Sequence, residues 1–177
     1  MSAPYISAEC RQYYTLVLDL DETLIHYDED QHKRTFEQAL STFTQQNGRY
    51  PTQAETSQIM PELEFKVRPF CLEFIEAMSQ MFEIVVFTAA EQQYADEVLD
   101  RLDPTGRLIS HRLYRQHVTH IQNTYTGQLH LVKDLSKIGR PLERVIIVDN
   151  VAANFQWQAD NGVEILSWYE DASDCEL

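Results

Sequence analysis

The chain is poor in cysteine, in basic residues and in long apolar runs. Its 3 cysteines, Cys10, Cys71 and Cys175, are scattered without a paired spacing. That leaves no disulfide framework and fits reduced thiols in a reducing compartment. None stands six residues before an arginine, so a cysteine nucleophile in a Cys-x5-Arg phosphate loop is disfavoured. Lysine and arginine number 14 against 28 acidic residues, a net charge of -14. Such a surface repels nucleic-acid phosphates, and no direct nucleic-acid partner is expected. No apolar run approaches the roughly 18 residues that a membrane span requires. The opening "MSAPYISAECRQ" lacks a basic-then-apolar leader pattern, so an intracellular location, nuclear or cytoplasmic, is expected. There is no internal repeat or low-complexity tract.

What is present fits one folded unit. The 177 residues, 44% of them apolar and 24% charged, read as a single domain over 1–177, of a size that buries about 70% of its unfolded surface. Strand and helix patterns alternate. "YTLVLDL" is a short apolar run suited to a central parallel strand. "PFCLEFIEAMSQMFE" opens with Pro69 and spaces Phe70, Phe74, Ile75, Met78, Met81 and Phe82 as an amphipathic helix does. "IVVFT" is a second strand, "EQQYADEVLDRLDP" a second helix ended by Pro104, "RVIIVDN" a third strand, and "EILSW" after Asn161-Gly162 a fourth. This order predicts an α/β fold with a doubly wound, mainly parallel sheet. Two segments break the rhythm. An insertion over about residues 28–65 is polar, with a short helix in "TFEQALSTFTQQNG". "HVTHIQNTYTGQLHLV" alternates about Thr126-Gly127 as a hairpin does, and there His117 and His120 are read as solvated positions.

The stretch "TLVLDLDETLIH" raises the chemical question. Leu16, Val17, Leu18 and Leu20 surround Asp19, and Asp21 follows two residues later. A charged carboxylate in an apolar setting costs several kcal/mol or takes up a proton. Two of them together mark either a solvated strand end or a reaction site. In a doubly wound sheet, ligands gather outside the carboxyl ends of the strands. There the sequence places Asp19 and Asp21, then Thr88 after "IVVFT", then Asp149 and Asn150 after "RVIIVDN", with Lys133 on a loop before that strand. Clustered oxygens suit Mg²⁺, which takes one or two carboxylates and leaves positions for phosphate oxygens. A lysine and a hydroxyl suit the phosphate. A carboxylate can attack phosphorus once its repulsion with a dianionic ester is neutralised.

"DLDETL" resembles the Asp-x-Asp-x-Thr signature of the haloacid-dehalogenase superfamily. More closely it resembles the Fcp/Scp, or NLI-interacting-factor-like, branch: phosphatases related to those acting on the RNA polymerase II C-terminal domain. The likeness continues through "VRPFCLEFIEAMSQMFEIVVFTAAEQQYADEVLDRLDP", "RLYR", "VKDLSKIGRPLERVIIVDN" and "NGVEILSWYEDASDCEL". The resemblance implies a Mg²⁺-dependent protein serine/threonine phosphatase with a phosphorylated protein as substrate. It implies Asp19 as nucleophile and Asp21 as general acid/base. Asp19, the Asp21 main-chain carbonyl and Asn150 would hold the metal, with Asp149 beside it. Thr88 and Lys133 would hold the phosphoryl oxygens, Tyr94 and Arg115 would flank the phosphate entrance, and Thr23 would support the loop after the acid pair. The sequence departs from the family in its long polar insertion and at Glu91, where members are apolar. Two other readings stay open: a phosphopeptide-binding module of the same fold, and a phosphatase of small phosphate esters.

Overall fold

The computed structural model describes residues 3–7, 9–10, 12–122, 127 and 129–177. Its centre is a sheet of five strands in the order β5-β4-β1-β8-β9. These are β1 (Tyr14–Leu18), β4 (Phe82–Phe87), β5 (Ile109–Leu113), β8 (Val145–Asp149) and β9 (Gly162–Glu164). Every neighbouring pair runs parallel. From β1 the chain builds outward through β4 to β5, then crosses back to lay β8 and β9 on the other side. The order therefore reverses at β1, and a crevice opens outside its carboxyl end.

The strands form where β-branched and aromatic residues run together, and burial on both faces is why they read as near-continuous apolar runs. Val17, Leu18, Ile84, Val85, Val86 and Phe87 are all fully buried. One face packs Val17, Val85, Phe87 and Ile147 against Leu135, Ile138 and Phe155. Helices α3 (Cys71–Ser79) and α4 (Gln92–Leu102) bury Cys71 and Ile75, and Ala95, Val98, Leu99 and Leu102. Burial pushes the Cys71 thiol up to about 12, so it stays protonated.

Contacts divide the chain into two compact units, Met1–His26 with Val67–Leu177, and Tyr27–Lys66. The second holds α1 (Glu29–Asn47) and α2 (Gln53–Ile59). Asp28 caps α1 by accepting from Gln31 N–H at 2.8 Å, and Gly48 ends it with φ +65°. The expected short helix is thus 19 residues long. A second helix follows it, because Thr52 and Glu55 form a reciprocal capping box. Short strands β2 (Ile25–His26) and β3 (Lys66–Val67) pair with each other.

Three further expectations change. The first helix of the sheet unit starts at Cys71 rather than Pro69, since Phe70 sits at φ +63°. A fifth strand, β5, was not foreseen, because "ISHRL" places His111 and Arg112 at a half-buried edge instead of an apolar run. The last strand is Gly162–Glu164 rather than "EILSW". The hairpin is present as β6 (Thr119–Gln122) and β7 (Leu129–Val132), antiparallel with Thr119 opposite Val132. Of its expected turn, Thr126 lies outside the described residues and Gly127 has φ +69°.

Candidate active site

Strands β4, β1 and β8 present their carboxyl ends side by side. Asp19 follows β1 directly, and its N–H donates to Val148 C=O of β8 at 3.0 Å. The main chain thereby aims the Asp19 carboxylate over the crevice, where it is 6% exposed. Lys133 is 1% exposed. Its Nζ donates to Asp19 Oδ1 and, at 2.6 Å, to Asp149 Oδ2. Asp149 also accepts from Val151 N–H at 2.8 Å and from Asn154 Nδ2 at 3.0 and 3.2 Å. The ammonium is thus gripped between two carboxylates, one of them fixed by its own turn.

The other Asp19 oxygen faces Thr23. The Thr23 hydroxyl donates to Asp19 Oδ2 at 2.9 Å and lies 3.4 Å from Asn150 Oδ1. Thr23 is fully buried, so it stands behind the carboxylate and not on a surface open to substrate. Asn150 Nδ2 donates to Ser167 Oγ at 2.9 Å, which leaves the amide oxygen turned toward the acids. Asp21 points to the β4 side. Tyr94 Oη donates to Asp21 Oδ1 at 2.6 Å, and Thr88 Oγ1 to Asp21 Oδ2 at 3.4 Å. Ala90 N–H in turn donates to Thr88 Oγ1 at 3.0 Å.

Arg115 borders the same loop. Its N–H donates to Ala90 C=O at 3.0 Å, its Nε to Ala89 C=O at 2.7 Å, and its Nη1 to Glu91 Oε1 at 3.1 Å. The pair is exposed, which makes it a device of position more than of stability.

The site carries more negative than positive charge. Burial raises the Asp19 pKa, with Asp149 and Asp21 adding to the rise and Lys133 opposing it. Burial likewise raises Asp21, against the hydrogen bonds of Tyr94 and Thr88. Burial alone would lower Lys133, but Asp19 and Asp149 overcome it and hold the ammonium above its ordinary value. Among the described residues, no three His, Cys, Asp or Glu side chains form a ready cage for a metal. The oxygens that converge are one carboxylate and one carboxamide.

Sequence reasoning missed Asn154, which braces Asp149, and Arg68, whose Nη1 donates to Thr23 C=O at 3.1 Å. Asn154 stands five residues after the Asp149 it braces, and no motif marks it. Arg68 has no local signal, being 45 residues from Thr23.

Residues 14–177 match the family described as NLI interacting factor-like phosphatase. The chain is 39% identical over 165 residues to CTD small phosphatase-like protein 2 of Dictyostelium discoideum, covering 92% of this chain and 25% of that protein. The chain spans between 25% and 59% of the length of the curated relatives it matches. The fold resembles that of Fcp1, an essential RNA polymerase II CTD phosphatase, with TM-score 0.59 and 20% identity, over 92% of this chain and 44% of that one. It also resembles a HAD-like family hydrolase of Porphyromonas gingivalis, with TM-score 0.52 and 13% identity, over 88% and 92%. At those identities the structural likeness speaks for the fold alone. Matched along nearly its whole length, with paired acids standing where the sheet order reverses, the chain belongs to the NLI interacting factor-like phosphatase family.

Proposed function

We propose that residues 1–177 form one phosphatase domain, interrupted by the insertion, that hydrolyses phosphoserine and phosphothreonine esters in proteins through an aspartyl-phosphate on Asp19. The observation that carries this reading is the buried grip of Lys133 on Asp19 beside an independently held Asp21. An aspartate nucleophile needs a fixed carboxylate, a cation to offset its repulsion with the ester, and a second acid on the leaving-group side. Each has a residue here.

In the first step an Asp19 oxygen forms a bond to phosphorus while the bond to the serine or threonine oxygen breaks. Asp21 gives its proton to that leaving oxygen. In the second step Asp21 takes a proton from water, the water oxygen bonds to phosphorus, and the acyl-phosphate bond to Asp19 breaks. Inorganic phosphate leaves and both acids are restored. Lys133 and the Thr88 hydroxyl hold phosphoryl oxygens, Tyr94 orients Asp21, and Arg115 borders the entrance.

The residues present fit Mg²⁺. With Asp21 carrying the proton for the leaving oxygen, Asp19 and Asp149 set two carboxylates against the one ammonium of Lys133, and the negative charge left over suits a cation. The Asp19 and Asn150 side-chain oxygens approach each other across Thr23 Oγ1, at 2.9 and 3.4 Å from it, and an all-oxygen set with few protein ligands is what Mg²⁺ prefers. Asp19, Asn150 and the Asp21 main-chain carbonyl would hold it, with Asp149 behind. When bound, Mg²⁺ supplies charge neutralisation at the phosphoryl oxygens.

The proposed substrate class follows the chain's relatives, among them a human small phosphatase of the RNA polymerase II C-terminal domain. A panel of phosphopeptides and sugar phosphates tests it. Faster turnover of phosphopeptides is expected. A strong preference for sugar phosphates would overturn the protein-substrate reading. Capture of phosphopeptides without any phosphate release would make the chain a binding module.

A further inference from the structure

The segment 165–174 supplies none of the expected site residues, yet its hydrogen bonds land on the loops that do. Ile165 N–H donates to Asp149 C=O at 3.2 Å, and Trp168 N–H to Glu22 C=O at 2.8 Å. Ser167 Oγ accepts from Asn150 Nδ2 at 2.9 Å. Asp174 accepts from Arg68 Nε and Nη2 at 2.7 Å each.

The loop at the receiving end closes on itself through Glu22 N–H to Ile25 C=O at 2.8 Å and Leu24 N–H to Leu20 C=O at 2.9 Å, and takes further support from outside. Glu22, next to Asp21, has φ +57°. A residue with a Cβ keeps that left-handed conformation only where its surroundings over-determine it. The next two carbonyls are both held from outside: Trp168 N–H takes that of Glu22, and Arg68 Nη1 takes that of Thr23 at 3.1 Å. Arg68 is 1% exposed, and the proposed reaction assigns it no step. Arg68 is buried and Asp174 partly so, and an ion pair drawn out of water in this way is a poor device for stability alone, since apolar residues of the same shape often serve as well. Here the guanidinium fork is clamped by both Asp174 oxygens, and its remaining arm reaches the residue whose hydroxyl holds Asp19 Oδ2. Arg68 also holds Asp174 below the usual carboxylate range.

We propose that Arg68 and Asp174 are positioning residues that, acting through Thr23, fix the Asp19 carboxylate for attack. This rests on Asp19 being the nucleophile. The tie runs from Asp174 to Arg68, to the Thr23 carbonyl, and through the Thr23 hydroxyl to Asp19.

The test uses Asp174→Asn and Arg68→Lys in the full chain, alone and with Thr23→Val. Asparagine keeps the shape of Asp174 but not its charge. Lysine keeps the charge of Arg68 but cannot hold two carboxylate oxygens and a carbonyl in one plane. Aryl phosphate hydrolysis is measured with Mg²⁺ and normalised to folded protein. Each single variant is expected to lower kcat by about tenfold or more, with KM within about twofold of wild type. In the Thr23→Val background the same changes should have little further effect on kcat, whereas a merely structural pair would act alike in both backgrounds. Hydrogen exchange is measured on the same samples. Faster exchange confined to residues 19–25, with β4 unchanged, is expected. An unchanged kcat, or equal losses in both backgrounds, overturns the proposal. Should wild type release no phosphate, the nucleophile reading fails, and exchange alone decides whether Arg68 and Asp174 hold this loop; unchanged exchange overturns that as well.

Discussion

Lys133 shows how few atoms hold the site together. Its ammonium is the counter-charge for two carboxylates that are 6% and 0% exposed. Lys133→Met should cost about 3–5 kcal/mol of stability, because Asp19 and Asp149 would stay buried without a counter-charge. Urea unfolding checks this, and an unshifted midpoint would contradict it. Tyr94 makes a milder case. Tyr94→Phe removes the 2.6 Å hydrogen bond to Asp21 but leaves the half-buried ring in place. The fold should survive with turnover lowered about 10-fold, less than the roughly 10²–10⁴-fold a general acid–base group contributes, because Asp21 itself remains and keeps its contact with Thr88. Unchanged turnover would show that Asp21 does not depend on Tyr94 for its orientation. Asp19, Asp21, Thr88, Lys133, Asp149 and Asn150 could be read from the sequence because each follows or precedes a recognisable strand. Arg68 and Asp174 could not, since their pairing spans 106 residues and only the folded sheet unit brings them together.

At the scale of elements, the buried strands were legible and the edges were not. The runs of β1, β4 and β8 stand out because they are covered on both faces, while β5 and β9 carry polar residues that look like loop. Edge strand β9 is also limited by close packing. A Cβ on Gly162 would overlap the Phe155 ring, so Gly162→Ala should cost about 1–3 kcal/mol, read from the urea midpoint. A cost near zero would show that Phe155 can move aside. At the amino ends of the strands, Glu83 of β4 is 2% exposed. It accepts from Arg140 Nε and Nη2 at 2.7 and 2.8 Å and from Thr15 of β1 at 3.2 Å. Burial would raise its pKa, but its hydrogen bonds, that of Arg140 foremost, overcome this and leave it lowered. A lowered carboxylate stabilises the fold above its unfolded value, about 4.3, and that contribution is lost as pH falls through the folded value. Glu83→Gln should therefore be less stable than wild type at neutral pH, with the gap narrowing below about pH 4. A gap that stays constant with pH would contradict the assignment.

For the whole molecule, a net charge of -14 acts on any substrate that approaches. Phosphopeptides with basic flanks should show kcat/KM falling as salt is raised, and those with acidic flanks the reverse, because screening weakens attraction and repulsion alike. Salt-independent rates would place substrate choice in contacts rather than in the field. The sheet order that reverses at β1 explains why acids from distant parts of the sequence meet, and why the family resemblance could be seen in scattered short motifs. The insertion was legible as an interruption with a helix in it, but neither the full length of α1 nor the presence of α2 was, since neither helix has a buried residue to create a strong apolar stripe. The central claim is that Asp19 attacks phosphorus with Mg²⁺ in place. Phosphate release from an aryl phosphate, by wild type and by Asp19→Asn, each with Mg²⁺ and with EDTA, tests it most directly. Release by wild type with Mg²⁺ alone is the result predicted; equal release by Asp19→Asn would contradict it.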